Sequence, residues 1–253
     1  MSHEAKIRSV ASRWNARARW TVLTGAGVSA ASGIPTFRGS AGLWKNFRAE
    51  DLATPEAFRR DPRTVWEWYD WRRQLIAAAA PNRAHEVLAD WSRRQAAFTL
   101  ITQNVDGLHE RAGTANVVRF HGSIWEVRCF ENCRGPAHRW TDRRVPLPEL
   151  PLSCPHCGGL ARPGVVWFGE PIELDAIERC EKALDCDVCL VVGTSSIVYP
   201  AAGLAVQARR RGAFVVEINP EPASGTVDVT LAGKAEEILD RINERIAPEA
   251  SSL

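Results

Sequence analysis

WTVLTGAGVSAASG, residues 20–33, runs an apolar, β-branched segment straight into a glycine-rich turn. Trp20 to Thr24 reads as a short buried strand. Gly25 and Gly27 permit a tight turn and let backbone N–H groups approach a phosphate. The small residues through Gly33 let the next helix start close to the sheet. The spacing departs from G-x-G-x-x-G, and no strand-ending acid follows about twenty positions later. The stretch is therefore either a phosphate cradle or a plain glycine turn.

The same grammar repeats along the chain. FTLITQN (98–104), VVRFHG (117–122), DVCLVVGTS (187–195) and AFVVEINP (213–220) each read as a strand followed by Gly, Ser, Thr or Asn-Pro. Helical patterns lie between them, at about 83–94, 174–184, 201–211 and 235–245. This alternation predicts an α/β protein with a Rossmann-like parallel sheet and helices on both faces. Ligands of such sheets sit at the carboxyl ends of the strands. Two stretches break the pattern: 34–81 is helical and rich in Trp, and 129–162 is rich in Cys, Pro and Gly. In the first, VWEWYDWRRQL (65–75) places Trp68, Trp71 and Leu75 on one helix face. Tyr69 and Arg72 stand side by side on another stripe. That pair reads as a solvated rim or as a clamp for something small and acidic.

The chain has 253 residues, 45% hydrophobic and 25% charged, as expected of a soluble globular protein. Its net charge of +2 is spread along the chain, which argues against a nucleic-acid or membrane surface. The first twenty residues lack the apolar core of a secretory signal, and no apolar run approaches a membrane span. Cys129 and Cys133, with Cys154 and Cys157, form two close pairs. Four thiolates so spaced predict one tetrahedral zinc, closed to water and hence structural. Metal rather than disulfides points to a reducing, cytoplasmic setting. Cys186 and Cys189 read as buried thiols on opposite sides of a strand, inert like Cys180.

Three strand-end groups carry candidate chemistry. Gln103, Asn104 and Asp106 either pair with the amide edge of a ligand such as nicotinamide or cap local backbone. His121 is a candidate general base, or a structural histidine. Phe37 and Arg38 lie on a loop between Gly33 and Gly39 that suits a mobile lid.

In order, GAGVSAASGIPTFRG, TQNVDGLH, FHG, the cysteine pairs, VVWFGE (165–170), GTSSIVYPAA (193–202) and INPEP (218–222) resemble the sirtuin family of NAD-dependent protein-lysine deacylases. The resemblance covers nearly the whole chain. It implies one catalytic domain, 1–253, with Rossmann parts at about 16–33, 96–121 and 166–246. A helical insertion at about 34–95 and a zinc module at about 122–165 complete it. NAD and an acyl-lysine peptide would enter the cleft from opposite sides. Gly25, Ala26, Gly27, Ser29, Ala30, Pro35, Thr36, Phe37, Arg38 and Trp44 would hold the pyrophosphate and cover the nicotinamide ribose. Asn104, Val105 and Asp106 would bind nicotinamide and Gln103 the ribose. His121 would be the base on the ribose hydroxyls. Gly193, Thr194, Ser195, Asn219 and Ala235 would line the adenosine. Val166, Phe168, Gly169 and Glu170 would pair with the peptide as an added strand.

The Y-x-x-R of Tyr69 and Arg72, with the small Ala53, resembles the subgroup that removes succinyl and malonyl groups. The implied activity is removal of succinyl, malonyl or acetyl groups from lysine, giving nicotinamide and O-acyl-ADP-ribose. The rivals are a plain deacetylase, a mono-ADP-ribosyltransferase on the same site, and a zinc-ribbon module for nucleic acid. The first cysteine pair is one residue longer than the family's commonest spacing. The expected partners are NAD, one zinc and acyl-lysine proteins, for a monomer without nucleic acid or membrane.

Overall fold

All five residues of the strand Trp20–Thr24 are buried, so both of its faces need covering. The computed structural model describes residues 1–36, 44, 47–135, 138–194, 201–222 and 227–246. Chain order begins with α1 (His3–Ala11), β1 (Trp20–Thr24) and a 3₁₀ turn (Ala26–Ser32). The helical insertion follows: α2 (Ala49–Leu52), α3 (Pro55–Arg60), α4 (Pro62–Ala78) and α5 (Arg83–Arg94). Next come β2 (Phe98–Thr102), α6 (Leu108–Arg111), β3 (Val117–Arg119), β4 (Gly122–Cys129), β5 (Arg139–Thr141) and β6 (Ala161–Val165). The chain closes with α7 (Leu174–Ala183), β7 (Val188–Val192), α8 (Ala202–Arg210), β8 (Phe214–Asn219), β9 (Val229–Ala232) and α9 (Ala235–Arg245).

Six parallel strands form one sheet in the order β3-β2-β1-β7-β8-β9. Alternate side chains feed two cores, as strand geometry requires. Val22, Leu100, Leu190 and Val216 pack on α1, α5 and α9 through Ile7, Leu88 and Leu239. Leu23, Ile101, Val191 and Val215 pack on α7 and α8 through Cys180, Leu184 and Ala208. The sheet order reverses beside β1, and that reversal opens a crevice at the carboxyl ends of β1 and β7.

Between β3 and β7 the chain builds a second, antiparallel sheet, β5-β4-β6. This sheet shares a third core with the helical insertion, made of Phe58, Trp66, Trp68, Tyr69, Val127, Leu147 and Trp167. Trp66 Nε1 donates to Ala161 O at 2.8 Å, which bolts α4 to β6. α4 starts where Asp61 accepts from Thr64 N and Pro62 occupies the first helical turn. Its buried face is Val65, Trp66, Trp68, Tyr69, Asp70, Arg73 and Ile76. The expected face of Trp68, Trp71 and Leu75 is thus shifted: Trp71 and Leu75 are only half-buried. The reason is that the antiparallel sheet covers the Trp66–Tyr69–Arg73 stripe.

Two expected strands are shorter than the sequence suggests. β2 stops at Thr102 and β3 at Arg119. The residues beyond turn out of the sheet and carry the site. α1 and β9, absent from the expected alternation, complete the core around α9.

Candidate functional site

Gly25 and Gly27 serve the chain itself. Gly25 N donates to Val192 O at 3.1 Å and Gly27 N to Gly193 O at 2.8 Å. A Cβ on Gly27 would lie 2.7 Å from Gly193 O, so this crossing admits no side chain. These two N–H groups are thus used within the fold, and the tight turn expected of the two glycines is what they provide. What the turn provides is a close-packed floor, with Ala26 half-exposed and Ala30 exposed on it. Pro35 and Thr36 continue along the cleft, half-exposed, and Trp44 is buried against Trp71 at 6.4 Å between ring centroids. Phe37, Arg38 and Ser195 lie outside the described residues.

The loop after β2 meets that floor. Asn104 Nδ2 donates to Gly25 O at 3.1 Å and to Ser29 Oγ at 3.2 Å. Ser29 Oγ donates to Asp106 Oδ2 at 2.8 Å. Asp106 Oδ1 accepts from Leu108 N at 2.9 Å, so the local-cap reading also holds for that oxygen. Val105 O accepts from Ile124 N, and Trp125 Nε1 donates to Asp106 O at 2.8 Å. Burial pushes the Asp106 carboxyl up, opposed by Leu108 N, Ser29 and the charge of Arg72.

Behind Ser29 stands a layer that sequence reasoning missed. Asn82 N donates to His85 Nδ1, so the ring proton sits on Nε2, 3.5 Å from Ser29 Oγ. The His109 ring packs against His85 at 4.8 Å between centroids, tilted by 53°, and meets Thr24 Oγ1 at 3.0 Å. Burial lowers His85 to about 4 and takes His109 well below the ordinary imidazole range. The signal available was Asn82 three residues before His85, a capping pattern at the start of α5.

Gln103 Nε2 donates to Thr194 Oγ1 at 3.1 Å, and Asn219 Nδ2 to Thr194 O at 2.8 Å. The ends of β2, β7 and β8 are thereby tied together beside Gly193. Ala235, buried, begins α9. His121 is half-buried, and its Nδ1 lies 3.2 Å from Gln103 O. A carbonyl only accepts, so Nδ1 carries the proton and Nε2 keeps its lone pair. Burial lowers the His121 pKa, which keeps the ring neutral near pH 7. Gly122 fixes the exit from His121. Its φ is +76°, and a Cβ there would collide with Gly164 O.

Val166 N donates to His121 O at 3.0 Å and Phe168 N to Ala53 O at 2.9 Å. Glu170 accepts from Trp167 N at 2.9 Å and from Arg162 Nη2 at 3.0 Å, and its own N–H closes the turn on Trp167 O. Its carboxylate thus shapes the Trp167–Glu170 turn around Gly169. Phe168 projects from that turn, 44% exposed.

Trp167, a second residue that sequence reasoning missed, donates Nε1–H to Tyr69 Oη at 2.9 Å. That leaves the phenolic proton to be donated elsewhere. Burial raises the Tyr69 pKa, so the phenol stays protonated. The Arg72 guanidinium lies over the Trp68 ring at 4.9 Å and feels the attraction of Asp106. Among the acids near Arg72 in sequence, Asp70 accepts from Leu147 N and Gln74, and Glu67 lies 3.3 Å from Arg63. Ala53 is buried in the same core.

The four cysteine sulfurs lie within 4.8 Å of one another. Cys129–Cys157 and Cys133–Cys154 are each 3.7 Å apart. Zn–S bonds of about 2.3 Å in a tetrahedron give S···S of about 3.8 Å, so the set fits one zinc despite the longer first pair. N–H groups of His156 and Cys157 donate to Cys154. Cys186 precedes β7 in a bend and contacts Cys189, so the opposite-face argument does not apply to that pair. Both remain buried, as does Cys180.

A parallel sheet with a strand-end crevice, a neutral histidine at its rim and a four-sulfur module define a Rossmann-type enzyme fold with a structural zinc. The model of the Sir2 family matches residues 25–200. The chain belongs to the Sir2 family. It is 52% identical to an NAD-dependent protein deacylase of Aquifex aeolicus, over 91% of this chain and 96% of that one. It is 48% identical to one of Thermococcus kodakarensis, over 97% and 95%. Among solved structures, a Sir2 homologue–NAD complex matches with a TM-score of 0.83 at 42% identity, covering 96% of this chain and 95% of that one. A Sir2 protein bound to a myristoylated histone peptide matches at 0.74 and 30%, covering 96% and 97%.

Proposed function

We propose that this chain is an NAD-dependent protein-lysine deacylase whose acyl pocket favours groups ending in a carboxylate, succinyl and malonyl above acetyl. One observation carries the acyl preference: Trp167 holds Tyr69 as an acceptor, which turns its O–H into a donor beside the half-buried Arg72, whose guanidinium lies 5.6 Å from the Tyr69 ring. Arg72 offers a planar fork to a carboxylate, and Tyr69 O–H adds a third hydrogen bond. Ala53 leaves room for the longer acyl chain.

NAD, when bound, supplies a ribose carbon that becomes electrophilic as nicotinamide leaves. The chain's residues prepare that event. Asn104 and Asp106 would bind the nicotinamide amide, and Gln103 and His121 would serve the ribose. Nε2 of His121 takes a hydroxyl proton, since its Nδ1 proton is held by Gln103 O. Val166, Phe168 and Gly169 flank the peptide. Gly193, Thr194, Asn219 and Ala235 lie on the adenosine side. We assign nicotinamide and O-acyl-ADP-ribose as the co-products.

The test is the ratio of kcat/KM on succinyl and acetyl forms of one peptide. Losing a hydrogen bond to a charged group costs about 1.5–3 kcal/mol, about ten- to a hundredfold. Arg72→Met should cut succinyl-lysine turnover by that factor, mainly through KM, and leave acetyl-lysine turnover similar or higher. Arg72→Lys should rescue only in part, since an ammonium lacks the planar fork. An equal fall on both substrates would make the pair structural.

A further inference from the structure

His138 and His156 lie beside the four-cysteine cluster, outside everything the deacylation chemistry uses. Their Nε2 atoms are 3.0 Å apart, with ring centroids at 4.8 Å in a T-shaped arrangement. His156 is exposed and His138 half-buried. Both come from braced backbone. His138 N donates to Gly135 O at 3.1 Å, and its ring meets Trp140 at 6.4 Å between centroids. His156 sits in the Cys154–Cys157 knuckle, closed by Cys154 N to Gly159 O at 2.7 Å and Gly158 N to Cys154 O at 2.9 Å.

We infer that His138 and His156 form a second, surface metal site for a divalent transition ion, separate from the four-sulfur site. Metal–imidazole bonds run about 2.0–2.1 Å. Two such bonds at a right angle place the nitrogens about 2.9 Å apart, and a tetrahedral angle places them about 3.4 Å apart. The observed 3.0 Å therefore matches adjacent positions of a square or octahedral ion, the preference of Cu(II) and Ni(II), more closely than tetrahedral zinc. Water would fill the other positions, so the ion exchanges readily. A plain hydrogen bond between the two rings is the competing account, and it predicts no metal uptake.

The test uses untagged, zinc-loaded protein and Ni²⁺ as the probe, because Cu²⁺ oxidises thiols. Equilibrium dialysis with metal analysis should find one nickel per chain in addition to one zinc, without the sulfur-to-nickel absorption that exchange into the thiolates produces. His138→Gln and His156→Gln should each lose the nickel and keep the zinc. If His156→Gln also sheds zinc, His138→Gln, which lies outside the knuckle, carries the test alone. No nickel on the wild-type chain, or equal nickel on wild type and His138→Gln, overturns the inference.

Discussion

Trp167 shows how one atom can set the character of a pocket. Its Nε1–H reaches Tyr69 Oη at 2.9 Å and decides which way the phenol points its proton. Trp167→Phe keeps a smaller aromatic ring in the core and removes that donor. Succinyl-lysine kcat/KM should then fall by about 0.5–1.5 kcal/mol, about three- to tenfold, with acetyl-lysine little changed. Unchanged succinyl activity would show that Tyr69 needs no orienting partner. The side-by-side placement of Tyr69 and Arg72 follows from their spacing, whereas their acyl-pocket role rests on the family resemblance. Trp167 was not legible in the sequence, since its partner lies 98 positions away and only the packing of α4 on the zinc module joins them. His85 and His109 were hidden for a similar reason, as each reads as an ordinary helical residue until Ser29 and Thr24 are seen against them.

At the scale of elements, the zinc module is a bracket for the site rather than an appendage. β4 runs from Gly122, next to His121, to the first zinc ligand, Cys129. Along the way Trp125 Nε1 holds Asp106 O, and Arg73 Nε donates to Ile124 O at 2.9 Å. Arg73 is fully buried between the Trp66 and Trp125 rings, with Asp142 at 3.9 Å. Loss of zinc should therefore reach the loop after β2. Cys154→Ala should release the metal, since site energy is folding energy, and loosen the shared core. Deacylase activity should fall with zinc content, measured on the same samples. Full zinc and full activity in that variant would mean that the four sulfurs do not form the site. The cysteine spacing announced the metal. The strands around it stayed hidden because β4 and β6 are interrupted by Gly, Pro and Arg, which weaken the period-two signal.

Across the whole molecule, strand ends explain why so much of the site was legible. A parallel sheet sends every carboxyl end to one edge, so Gly25, Gln103, His121, Gly193 and Asn219 meet although they are far apart in sequence. What escaped reading was which N–H groups the chain keeps for itself, because the crossing of Gly27 over Gly193 depends on two loops meeting. The fold also sets a pH limit. His85, lowered to about 4 by burial, and His109, lowered well below the ordinary imidazole range, are neutral in the folded state near pH 7, while the unfolded chain binds protons at ordinary imidazole values near 6.5. Their contribution is complete above pH about 6.5 and is lost as pH falls toward 4. For His85 the loss amounts to about 3 kcal/mol at most. Asp106, raised by burial, acts in the opposite sense. Urea midpoints should hold between pH 7 and 8 and fall steadily from 6.5 to 4.5, and His85→Asn should flatten that fall. A level profile in wild type would contradict the buried-neutral reading. Mass spectrometry of acetyl- and succinyl-lysine versions of one peptide, incubated with and without NAD, tests the deacylase activity directly. Loss of the acyl mass is expected only with NAD, with one nicotinamide released per lysine freed, succinyl faster than acetyl, and none of this with His121→Ala. Intact acyl peptide in the presence of NAD, or undiminished acyl loss by the His121→Ala chain, would contradict that expectation.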